Sequence, residues 1–206
     1  MILDSSSIEL ALRLLGERLE KTGVTRPDSP YQLVVCGGAA LIYCSLVSRP
    51  TTRDVDIVAM LSPSGELVSP DPLPEDLREL AIQVARDIDL PSEWLNNGPS
   101  KEPGGLFQVG LPEGLVGRLS SRDFGRCLRV HFVSRVDQIH FKVFAAVDSG
   151  PGRHFEDLKE LKPTPEELEA GARWALLQDS SEGFRAMLVS MLQQMGCQDV
   201  AQRIQN

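Results

Sequence analysis

The stretch from Leu33 to Met60, LVVCGGAALIYCSLVSRPTTRDVDIVAM, constrains this chain more than any other. Leu33 to Cys36 is a short apolar run bounded by glycine, which reads as a buried strand. Gly37-Gly38 interrupts it and lets the backbone come close to a neighbouring group. Ala39 to Val47 is small and apolar, the composition of a packed helix. A polar loop then leads to Ile57-Val58-Ala59-Met60, a second strand that Asp54 and Asp56 open. Positions two apart on a strand share a face, so both carboxylates point the same way. They repel unless a cation lies between them, and hard oxygen donors suit Mg²⁺. Such a unit predicts an α/β (α+β) fold.

The flanks agree with that core. Asp4 is placed to cap a helix in which Ile8, Ala11, Leu12, Leu15 and Leu19 recur at helical spacing, ended by Gly23. Pro74 to Leu90 carries the stripe Leu77, Leu80, Ala81, Val84 and Ile88, with Trp94 tucking the chain back afterwards. Cys127 to Val133 alternates as a strand, with Leu128, Val130 and Phe132 on one face and Arg129 and His131 on the other. Between these, the proline- and serine-rich loop after Met60 reads as a surface connection or an edge of the site. Residues 107–119 are poorly specified.

Val136 to Val147 reads as a helix with Ile139, Val143, Phe144 and Val147 inward and Lys142 off that stripe. A short helix over His154 to Leu161 carries Asp157. Thr164 and Glu167 have the spacing of a capping box, and two paired helices and a final turn follow. The prolines at 163 and 165 set the expected boundary: a domain over 1–161 and a C-terminal helical appendage over 162–206.

Charge bears on partners. The 206 residues carry a formal −8, which argues against binding nucleic acid over the whole surface. Arg118 to Arg153 nevertheless holds seven basic side chains against three acidic ones. That excess fits either a bound polyanion or arginines paired with acids elsewhere. Cys36, Cys44, Cys127 and Cys197 form no Cys-x-x-Cys pair and read as free thiols in a reducing cytoplasm. Neither a signal peptide nor a membrane span is expected.

Gly37-Gly38, a short helix, Arg49-Pro-Thr-Thr52 and Asp54-x-Asp56, in that order, resemble the nucleotidyltransferase superfamily of the DNA polymerase beta type. The pattern is most similar to the bacterial branch that includes abortive-infection type IV toxins. Lys142 followed by Asp157-Leu158 extends the likeness, which spans Leu33 to Leu161. The resemblance implies a nucleotidyltransferase-like mixed sheet flanked by helices. It also implies a nucleoside triphosphate at Gly37-Gly38, with Arg49, Thr52 and Lys142 contacting it. Asp54 and Asp56 would hold Mg²⁺ or Mn²⁺, and Lys142 would join them in catalysis. The activity implied is transfer of a nucleoside monophosphate to a hydroxyl on a protein, an RNA or a small molecule. A toxin–antitoxin or phage-defence setting, with a cognate toxin or antitoxin, follows by family alone.

One departure opens a second reading. The superfamily usually adds a third carboxylate from a later strand, and Cys127 to Val133 has none. Asp123, just upstream, is the fallback, and His131 is placed to approach the site. Without a third ligand the chain could be a non-catalytic binding module on the same fold, an antitoxin or partner-docking protein.

Overall fold

A computed structural model describes residues 2–101, 103–150 and 152–205. The chain forms two compact units, 1–134 and 135–206. The prolines at 163 and 165 mark a helix start, whereas the units divide earlier because the helix from Arg135 makes its contacts with the helices after Arg153 and Pro165.

The first unit is a mixed sheet with helices. Its elements are α1 (Ser5–Thr22), β1 (Tyr31–Cys36), α2 (Gly37–Tyr43), β2 (Val55–Leu61), β3 (Leu67–Val68), α3 (Glu75–Asp87), β4 (Leu95–Asn96), α4 (Leu106–Val109), β5 (Ser120–Asp123) and β6 (Leu128–Phe132). The strand order is β3-β2-β1-β6-β5, with β4 pairing β2 beside β3. Central β1 runs antiparallel to β2 and parallel to β6. This is the mixed sheet expected.

Local chemistry explains the helices. Asp4 accepts from the Ser7 N–H at 2.7 Å, and Gly23 closes α1 in the left-handed region. The α1 stripe, with Leu77, Leu80, Ala81 and Val84 of α3, covers Leu33, Val35, Val55, Ile57, Leu128, Val130 and Phe132 on one sheet face. Trp94 is fully buried there and donates from its indole to the Ala81 carbonyl. Gly16 permits the closest approach: a Cβ on it would lie 1.7 Å from the Phe124 carbonyl oxygen.

Three expectations change. α2 starts at the glycines and stops at Tyr43, short of Val47. Ser45 turns left-handed, and the Leu46 N–H donates to the Leu41 carbonyl, a Schellman-type ending. The loop after Met60 contains β3, an edge strand of two residues. β5 lies within a stretch the sequence leaves unassigned, and all four of its residues are exposed, so no apolar alternation marked it.

The second unit is helical: α5 (Arg135–Ser149), α6 (Arg153–Glu160), α7 (Pro165–Gln178), α8 (Glu182–Gln194) and α9 (Gln198–Gln205). The Thr164–Glu167 capping box forms, with Pro165 in the first turn. Trp174 gathers Phe141, Phe144 and His140 of α5, and Phe144 meets Phe184. Arg135 joins α5 to α7 through both Glu167 oxygens, at 2.7 and 3.0 Å. The last segment, expected as one turn, is a full two-turn helix.

Candidate functional site

The sheet pairing sorts the site residues by face. Leu33 and Val35 of β1 point into the α1–α3 core, so Gln32, Val34 and Cys36 lie on the opposite face. Asp56 is the register partner of Cys36 and shares that face. Asp54 immediately precedes β2, and both aspartates are half-buried. Asn96 of β4 pairs with Asp56 from the other side. The β2 entry is therefore flanked by the end of β1 and by β4.

Gly37 accounts for the contact at this corner. Its φ is +64°, a conformation that costs an L-residue roughly 1–2 kcal/mol. A Cβ there would lie 2.7 Å from the Asp56 Oδ2 atom. The Asp56 carboxylate thus lies against bare backbone, and glycine at 37 is needed for both torsion and space. Gly38 is buried. The close approach to Asp56 is made at the first glycine.

Arg49 is half-buried in the loop that leads to β2. Thr52 is buried, and its backbone N–H and carbonyl exchange 2.7 Å hydrogen bonds with Leu3. The bridge pins the loop three residues before β2. Arg53 is exposed.

Asp123 does not join this corner. It lies on β5, and the order β5-β6-β1-β2 puts it three strand spacings, roughly 14 Å, from Asp56. Both its oxygens accept from Arg129, at 2.6 and 3.1 Å. That bond holds its carboxyl below the usual carboxylate range, with burial opposing it. The fallback third ligand is thereby excluded from a shared ion with Asp54 and Asp56. Among the described residues, no group of three His, Cys, Asp or Glu side chains is placed to hold a metal.

His131 stands two strands from β2, and its ring is occupied. Nδ1 lies 2.7 Å from the Ser121 hydroxyl and Nε2 3.1 Å from the Gln32 side-chain oxygen. It is not an element of the Asp54–Asp56 corner. Neither Ser121 nor Gln32 is marked by any motif; only the β1–β6–β5 pairing brings them to the histidine.

The basic stretch resolves into pairs. Arg122 bonds Glu9 at 2.8 Å and also the Tyr43 hydroxyl, Arg126 pairs with Glu20, and Arg129 with Asp123. Arg118 donates to the Glu113 carbonyl. Arg122 also lies on the α1 side of the sheet, the face away from Asp56. Of the two expectations for this stretch, pairing with acids is the one observed for Arg122, Arg126 and Arg129.

Lys142, expected to reach out of the core, is buried within the second unit. Its Nζ lies 2.8 Å from the Asp157 Oδ2 atom and 3.3 Å from His154 Nδ1. Both partners are about 95% buried, with side-chain exposures of 5% and 4%. On α5 the buried face extends past Ile139 and Val143 to Gln138, Phe141 and Lys142, wider than the stripe read from periodicity.

No protein-family model matches the chain, and no curated protein or solved structure does either.

Proposed function

We propose that the protein is a Mg²⁺- or Mn²⁺-dependent nucleotidyltransferase that moves a nucleoside monophosphate from a triphosphate to a hydroxyl acceptor. One observation carries this reading: the Asp56 carboxylate rests against the left-handed Gly37 backbone, beside Asp54 at the mouth of β2. Strand pairing holds this carboxylate at a glycine turn. Two carboxylates suit one Mg²⁺, which takes one or two protein oxygens and keeps its other positions for water and substrate phosphates. Bound there, the ion would offset charge on the triphosphate.

The chain's own residues then have defined tasks. Asp54 and Asp56 hold the cation. Gly37-Gly38 leaves room for phosphate oxygens near the backbone, and Arg49 donates to them. Thr52 positions the loop through its bridge to Leu3. The acceptor hydroxyl attacks the α-phosphate, and pyrophosphate leaves. Positioning and charge supply most of the rate in such reactions. Lys142 is left out of this scheme, because drawing it onto phosphate would strand Asp157 in the interior. A defence or toxin–antitoxin setting rests on the resemblance alone.

A second reading has its own support. Asp123 lies three strands away and is bound by Arg129, so no third carboxylate is at hand among the described residues. A module that binds a metal–triphosphate without transferring it fits that observation. The test uses the four common triphosphates with Mg²⁺ or Mn²⁺. Thermal shift reads binding; pyrophosphate release and α-phosphate label transfer to cell extract read reaction. Binding with transfer, both lost in Asp56→Asn, supports the enzyme. Binding without transfer supports the module. No response to any metal–triphosphate pair overturns both.

A further inference from the structure

The face of the sheet that carries Asp56 also carries, near its other edge, a chain of hydrogen bonds that runs in one direction. The Gln32 amide nitrogen donates to the Ser62 carbonyl at 3.4 Å, which leaves its Oε1 to face His131. That oxygen, 3.1 Å from His131 Nε2, can only accept, so Nε2 carries the proton. Nδ1 is then the bare nitrogen and accepts from the Ser121 hydroxyl at 2.7 Å. Every proton in the series points away from Ser121 toward Ser62. The serine is left with its oxygen lone pairs unengaged by this series.

The surroundings suit that arrangement. Ser121 is exposed on β5, the edge strand, where a small molecule can reach it. His131 is 6% exposed, with its ring fixed by a partner on each nitrogen. Burial pushes the imidazole below its ordinary pKa, the Arg129 charge pushes the same way, and Asp123 opposes. The first two effects favour the neutral ring, whose bare Nδ1 faces the Ser121 hydroxyl.

We infer that Ser121 is a nucleophile, with His131 as its general base and Gln32 as the residue that orients the ring, forming a reactive centre separate from the Asp54–Asp56 corner. A nucleophile in reach of a base, with the base held by a third group, is the arrangement that activates serine. Here the two ring nitrogens exchange the roles they have in the chymotrypsin-type triad, and an amide replaces the carboxylate. The substrate class is a small activated ester or phosphonyl compound with a good leaving group. The Ser121 oxygen bonds to the electrophilic carbon or phosphorus, the bond to the leaving group breaks, and the serine proton passes to His131 Nδ1.

A fluorophosphonate is the probe. Attack forms the Ser121 O–P bond and releases fluoride, and the proton rests on His131. Intact mass and peptide mapping of the folded full chain should show one adduct, on Ser121, absent in Ser121→Ala. General-base help is worth about 10²–10⁴-fold, so labelling should be at least roughly 100-fold faster than in the urea-unfolded chain. His131→Gln should fall to the unfolded rate, and Gln32→Leu should lie between. His131 is buried, so the Gln32 variant and the folded-to-unfolded ratio keep the test decisive if His131→Gln does not fold. No adduct on Ser121 in the folded wild type, or equal rates folded and unfolded, overturns the inference.

Discussion

Three aspartates entered as candidates for one site, a fourth extended the same resemblance, and the structure divides the four into two kinds. Asp123 and Asp157 each meet a cation at hydrogen-bond distance, Arg129 at 2.6 Å and Lys142 at 2.8 Å. Asp56 instead meets a glycine backbone that would not tolerate a Cβ, with Asp54 two residues before it. A carboxylate held by a cation has already spent its charge on the fold. One held against bare backbone is positioned by strand pairing and register. The contrast shows why a count of charge along the sequence left two readings open for residues 118–153: neutralisation is settled pair by pair.

The largest effect should come from the buried pair. Lys142→Met leaves Asp157 in the interior and should destabilise the protein by about 3–5 kcal/mol in urea unfolding. Adding Asp157→Leu should recover most of that loss. A loss under about 1 kcal/mol would remove Lys142–Asp157 from the structural kind and return the lysine to ligand binding.

Next is the glycine corner. Gly37→Ala combines the left-handed torsion, worth roughly 1–2 kcal/mol, with displacement of the Asp56 carboxylate. The variant should melt lower and lose its thermal response to metal–triphosphate together. If the response survives at full size, the ligand does not depend on Asp56 being held there. Asp56→Asn sharpens the same point. The fold should survive, as read by a cooperative thermal transition, while the Mn²⁺-dependent shift disappears. Identical metal titrations for the variant and the wild type would mean that Asp56 holds no cation.

The exposed pairs should matter least. Arg122→Ala should cost at most about 1 kcal/mol, and less at high salt. For Asp123 the sign is fixed by its depressed carboxyl. Its contribution is present above the unfolded value near 3.9 and is lost as pH falls through the folded one. Arg129→Ala should therefore lower the melting temperature near pH 7 and converge on the wild type as pH falls well below about 4, so that its melting temperature depends less on pH in that range. A variant that differs equally at both pH values would point to packing rather than charge.

What the sequence determined was local. Asp4 and Gly23 bound α1, Thr164 and Glu167 cap α7, and the alternation from Leu128 to Phe132 predicts both the strand and its inward face. Each depends on residues within a few positions of one another, so the chain alone carries the information. The glycine turn followed by Asp-x-Asp was legible for the same reason. Only the tertiary structure decided the rest. Arg122 finds Glu9 across 113 residues, β5 exists because β6 offers it an edge, and Lys142 is buried because Asp157 lies opposite it. The contact between Gly37 and Asp56, like the Ser121–His131–Gln32 series, follows from strand register, and no local pattern encodes it. Periodicity and capping act within one or two turns of chain, whereas ion pairs and edge strands form only after folding has brought distant residues together.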